Sequence, residues 1–206
     1  MVLLCSKRRD NLYGKSNMDC TIKNFISSIF AGIMIGIAGL IYVNLSGTWY
    51  AAILFSVGLA VICVRQYHLY TGKIGYVDKF KQIPYILLII IGNLIGVFLV
   101  SLTSVGVPGE ALVTAKLANP LWLVLFKAIG CGFLMYVAVD IYKQNQSLVG
   151  VFCCIPAFIL AGFEHSIADM FFVCVSGIFN LDVIIFICTV LIGNAIGSFL
   201  HKILER

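Results

Sequence analysis

Charge is what this sequence has least of. Asp, Glu, Lys and Arg make up only 11% of its 206 residues, against about a quarter in soluble domains. Proline and tryptophan are also scarce, at four and two residues, so long helices can run with few interruptions. The nucleophile elbow G-x-S-x-G and the zinc helix H-E-x-x-H are both missing, which removes the commonest signatures of an intramembrane or soluble hydrolase. No C-x-x-C occurs, and the three histidines, His68, His165 and His201, fall in separate segments. No metal site, cofactor or enzymatic activity is therefore expected. Most of the eight cysteines lie inside apolar runs, where they serve as small hydrophobes. What replaces charge is grease: 61% of the residues are hydrophobic, more than one water-facing globule can cover. Lipid is the expected solvent for much of this surface.

The net charge of +5 forms no stripe of the kind a nucleic-acid backbone requires. It reads instead as a topology signal. Residues 1–23 are polar and cationic, with Lys7, Arg8, Arg9, Lys15 and Lys23, and lack the apolar core and cleavage site of a signal peptide. They are expected to form a cytoplasmic tail, followed by a transmembrane channel domain over 24–206. Six apolar segments follow, at about 24–45, 49–64, 83–104, 119–141, 147–163 and 170–201. Four are long enough to cross about 30 Å of hydrocarbon as one helix. Lys and Arg concentrate in the tail, at 65–81, at 143 and at the C-terminus, while the opposite side holds only Lys116, Lys127 lying within the fourth segment. The positive-inside rule then gives six crossings with both termini cytoplasmic.

Segments two and five are interrupted by polar residues. The second breaks at Arg65-Gln66-Tyr67-His68 and resumes through Thr71-Gly72; the fifth meets Glu164-His165-Ser166 and Asp169. Each interrupted segment precedes one that carries G-N-x-x-G, with Gly92 and Asn93 in the first case and Gly193 and Asn194 in the second. Three helices per half make the second copy enter from the opposite side, so the expected fold is an all-α membrane protein built as an inverted 3+3 repeat with helices two and five broken. The glycines of these motifs read most simply as close-packing positions. The paired interruptions point to function, because ionisable groups at membrane depth are costly and face a cavity or one another. At helical spacing His165 and Asp169 would share a face, whereas Glu164 would suit holding a broken-helix end through backbone N–H groups. Phe55, Leu59, Leu69, Tyr70 and Phe158 flank the breaks and are bulky enough to form apolar constrictions.

The string G-F-E-H-S-I-A-D-M at 162–170 resembles the fifth-helix motif of the formate/nitrite transporter family, and the resemblance extends over most of the chain through 31–39, Leu69-Tyr70-Thr71-Gly72 and both G-N-x-x-G strings. It implies an aquaporin-like fold and a homopentamer with one pore per protomer, in a prokaryotic inner membrane. The implied cargo is a small monovalent weak-acid anion such as formate, nitrite or hydrosulfide, with or without a proton. It further implies that His165 is the central pore histidine and Thr71 the threonine opposite it. Glu164 would fix the broken helix, Lys116 would attract anions electrostatically, and the five bulky residues would make two constrictions. Four positions depart from the family pattern: His68 stands for glutamate, and Lys73, Gly132 and Asp169 for asparagine. At 132 the departure would remove a polar partner near the lysine and histidine. At 169 a carboxylate reaching His165 would keep the imidazole protonated to higher pH. A membrane protein that keeps the fold but has lost transport, and serves a structural or regulatory role, is the alternative that these departures raise. A neutral-solute channel of the aquaporin type is disfavoured by the absence of N-P-A strings.

Overall fold

The computed structural model describes residues 17–104, 106 and 109–204, and among these every regular element is helical. Most of the expected tail lies outside the described residues. Helix α1 spans Asn17–Asn44, beginning ahead of the expected boundary at 24. After a tight turn α2 runs Trp49–Arg65, ending where Gln66 adopts left-handed angles. The chain then passes through an irregular stretch and two single 3-10 turns, Ile74–Tyr76 and Phe80–Gln82, into α3, Ile83–Ser101. Pro84 sits in the first turn of α3, where its missing N–H costs nothing. A short helix, α4, covers Gly109–Leu117, and α5 runs Leu121–Asn145 behind Pro120. Helices α6, Val149–Leu160, and α7, Ser166–Ser176, divide one apolar stretch between them, and α8 closes the chain at Leu181–Leu204.

Two differences from the sequence reading matter. The stretch 170–201 is not one segment: α7 ends at Gly177, whose φ of 69° turns the chain before α8. Hydropathy does not register this turn because Ile178 and Phe179 keep the run apolar. Helix α4 was not expected at all, and it carries Lys116.

Four helical stretches are long and apolar enough to cross a membrane: Cys20–Asn44, Phe80–Ser101, Leu121–Asn145 and Leu181–Leu204. They form the two most intimate pairs, α1 against α3 and α5 against α8. The G-N-x-x-G glycines make these contacts close. A methyl group on Gly92 would strike the Ser28 side chain and one on Gly193 that of Ala128; on Gly96 and Gly197 it would overlap the carbonyls of Ile29 and Ile129. Large apolar side chains such as Phe30, Leu87, Ile91, Phe126 and Ile184 face outward, while Ser28, Thr71, Asn93, Glu164, His165, Asp169 and Asn194 are buried. Polar groups inside and apolar groups outside is the distribution of a protein dissolved in lipid. The chain is a multi-pass integral membrane protein.

Candidate functional site

Two asparagines organise the centre. Asn93 of α3 accepts the backbone N–H of Tyr70 at 2.9 Å, and its amide donates to the carbonyls of His68 at 2.9 Å and Ser28 at 2.7 Å. Asn194 of α8 accepts the N–H of Ser166 at 2.9 Å and donates to Glu164 and Ala128, both at 2.9 Å. Each side chain therefore ties a helix of the neighbouring pair to a non-helical turn by satisfying two of the turn's freed backbone groups. A buried amide that left those groups unpaired would cost about 1–3 kcal/mol for each. The G-N-x-x-G strings thus do more than allow close packing. Their asparagine side chains hold the two breaks, and the sequence signal was present in the one polar residue shared by both copies.

Between the clamped residues lie Leu69 in the first break and His165 in the second. His165 has extended backbone angles, φ −112° and ψ 112°, and serves as N-cap of α7, its Nδ1 accepting the Ala168 N–H at 3.1 Å. An accepting Nδ1 places the ring proton of a neutral imidazole on Nε2. Nε2 then donates to Thr71 Oγ1 at 3.0 Å, leaving the threonine hydroxyl hydrogen free to be given elsewhere. The His165 ring lies nearly parallel to that of Phe158, centroids 5.8 Å apart, and Phe158 meets Phe55 edge to face at 6.4 Å.

A cavity of about 250 Å³ opens above this group. Of the residues singled out from sequence, Phe55, Lys116, Phe158, Glu164, His165 and Asp169 line it. Thr71, Leu59, Leu69 and Tyr70 are buried outside its lining, at 4% exposure or less, with Thr71 joined to the cavity through His165. The Tyr70 hydroxyl donates to the Leu191 carbonyl of α8 at 2.8 Å. Lys127 and Phe172 also line the cavity and were not singled out as site residues. A lone lysine inside an apolar run was the available signal for the former.

The charged groups are arranged differently from the sequence expectation. Lys116 Nζ contacts the Glu164 carboxylate and lies 2.9 Å from Asp169 Oδ1. The Glu164 side chain is thus committed to a lysine and not to backbone N–H groups at the break. Asp169 likewise pairs with Lys116, while the two ring nitrogens of His165 engage Ala168 and Thr71. Helical spacing failed to place Asp169 beside the imidazole because α7 begins only after His165. Gly132 is a second correction. A side chain there would collide with the Asn194 carbonyl, as one at Gly32 would collide with that of Asn93, so position 132 belongs to the α5–α8 contact. It offers no room for a polar partner to the lysine. Of the other departures, His68 Nδ1 shares a hydrogen bond with the Tyr85 hydroxyl at 2.9 Å, and Lys73 follows the first break.

Comparison with known proteins gives a consistent picture. A family model described as "Formate/nitrite transporter" matches residues 7–204. No curated protein sequence matches the chain. Among solved structures, a "Pentameric formate channel with formate bound" superposes with a TM-score of 0.81 at 20% identity, covering 92% of this chain and 97% of the other. An "FNT family ion channel" gives 0.77 at 19% identity, over 91% and 88%. At these identities the likeness is one of fold.

Proposed function

Because the chain belongs to the formate/nitrite transporter family, we propose that it passes small monovalent weak-acid anions, with formate, nitrite and hydrosulfide as the candidates, along a route through each protomer of a homopentamer in a prokaryotic inner membrane. The solved relative described as a pentameric formate channel supports both the cargo and the assembly. Both termini are assigned to the cytoplasm on the distribution of Lys and Arg.

In this reading the fold is an inverted 3+3 repeat, aquaporin-like, with six crossings. Helices α6 and α7, of 12 and 11 residues, are each too short to span about 30 Å, and together they suffice. Helix α2 and the turn at Ile74–Tyr76 make the corresponding broken crossing in the first half. The equivalence of Ser28 with Ala128, Asn93 with Asn194 and Gly32 with Gly132 supports the repeat, each member making its partner's contact in the other half.

The observation that carries the functional reading is the meeting of the two breaks at His165 and Thr71, directly beneath a cavity whose wall contains Lys116. An anion entering an apolar slit loses hydration that the slit cannot replace. Between Phe55 and Phe158 and the residues below, the Thr71 hydroxyl and the His165 ring are the polar groups within reach. A passing oxygen accepts the free hydrogen of Thr71. Delivery of a proton by His165 requires the ring to take a second proton at Nδ1, which releases the Ala168 N–H. Loss of an N-cap costs about 1 kcal/mol, so proton coupling would be accompanied by a modest loosening at the start of α7.

The test is flux of formate, nitrite and hydrosulfide into liposomes holding the purified protein, with His165→Asn alongside. Asparagine is a good N-cap that cannot titrate at this position. Flux that falls on the order of 100-fold in a variant that still assembles supports the reading. Equal flux in wild type and variant removes His165 from the mechanism. One observation favours the transport-dead alternative: the lysine that would attract anions is held by two carboxylates. Wild-type flux no greater than that of empty liposomes, from a protein that still assembles, would point to a relative that is transport-dead or selects a different solute.

A further inference from the structure

Resting on that reading of the pore, we propose that Asp169 is a specificity-determining residue that cancels the attraction of the cavity for anions, so that this mouth admits solutes by size and ease of dehydration and does not concentrate them by charge.

The charged side chains facing the cavity come from four places. Lys116 is on α4, Lys127 on α5, Glu164 in the break and Asp169 on α7, while His165 carries no charge in its capping tautomer. The two lysines and two carboxylates sum to zero. With an amide at 169 the same wall would carry one net positive charge. The walls from α1, α2 and α6 contribute Tyr42, Phe55 and Phe158 and leave the balance unchanged.

Geometry places the cancellation where it acts. Lys116 Nζ is 2.9 Å from Asp169 Oδ1 and also bound to Glu164, so its charge is met on two sides before an anion arrives. What a carboxylate supplies at 169 beyond an amide is its negative charge. Its Oδ1 takes the Lys116 contact while Oδ2 accepts no hydrogen bond among the described residues, and an amide oxygen at the same place could still accept from Lys116, through a weaker bond that lacks the ion pair. The entrance therefore differs between a carboxylate and an amide at 169 by the negative charge that Asp169 carries when ionised.

The experiment measures the concentration dependence of formate uptake into liposomes at one pH while potassium sulfate is raised from ~0.003 M to ~0.05 M, an ionic strength of about 0.01 M to about 0.15 M, shortening the screening length from about 30 Å to about 8 Å. A neutral entrance gives the wild type a KM that varies less than about twofold over this range. Asp169→Asn lowers the KM on the order of tenfold at low salt, as one unit charge near the path dictates, leaves the maximal rate close to that of the wild type, and makes the KM climb with salt. Asp169→Glu, which keeps the charge, behaves as the wild type. A wild-type KM that itself climbs several-fold with salt overturns the proposal, and this arm decides the matter even where a variant fails to assemble. A KM in Asp169→Asn with the wild-type value and salt response overturns it as well. Absence of wild-type flux defeats the transport reading, and the proposal with it; flux with a strongly salt-dependent KM defeats the proposal alone.

Discussion

The two breaks are held in the same way and contain different chemistry. Asn93 and Asn194 each accept one backbone N–H and donate to two carbonyls, one of which lies two residues before that N–H across the turn they secure. Between the clamped residues the first break presents Leu69 and the second His165. Around them stand His68 and Tyr70 in one case, Glu164 and Ser166 in the other. The difference shows a division of labour within a repeated frame: the clamp is a property of both halves, whereas the charged groups that line the cavity all lie beyond the first break, which contributes Thr71.

The largest effect that would sharpen this contrast comes from Lys116, which has no role in the first break. Glu164 and Asp169 are 2% and 1% exposed, and Lys116→Met leaves two buried carboxylates without their cation. Removing one partner of a buried pair costs about 3–5 kcal/mol. Thermal unfolding of the purified protein in detergent should show a correspondingly large drop, largely restored by combining Lys116→Met with Glu164→Gln and Asp169→Asn. A small drop in the single variant would mean that solvent reaches these carboxylates.

The clamps come next, and they test the likeness of the halves directly. Asn93→Ala and Asn194→Ala each remove three hydrogen bonds and leave buried backbone groups unpaired, for an expected loss of about 3 kcal/mol in either case. Equal losses would support a frame shared by both halves. A loss confined to Asn194 would show that the second break alone depends on its clamp.

These asparagines also mark the limit of what the sequence made legible. Both G-N-x-x-G strings, both interruptions and the four long spans are visible in it, because hydropathy and small-residue spacing record them directly. The work of the asparagine side chains is not visible, since their partners are backbone atoms of turns and neighbouring helices 23 to 66 residues away. The pairing of Asp169 with Lys116 was hidden for a related reason. Helical periodicity applies only inside a helix, and α7 starts one residue past His165. The nine residues of α4, which aim the lysine, are too short and too mixed in character to stand out from a loop. Lys116, Glu164, His165 and Asp169 were identifiable as ionisable residues out of place in lipid. Which of them touch was decided by where the helices stop.

The smallest effect concerns Tyr70, the neighbour of Leu69. Its ring is buried and its hydroxyl donates to the Leu191 carbonyl of α8, a bond that links the first break to the helix carrying the other clamp. Tyr70→Phe keeps the ring and removes that bond alone, for an expected loss of about 1 kcal/mol, read as a shift of a few degrees in the unfolding midpoint. Formate flux should be unchanged, because neither the Asn93 clamp nor the Thr71–His165 contact involves the hydroxyl. A large fall in flux with little change in stability would place the Tyr70 hydroxyl on the substrate path and give the first half a second polar group in the chemistry.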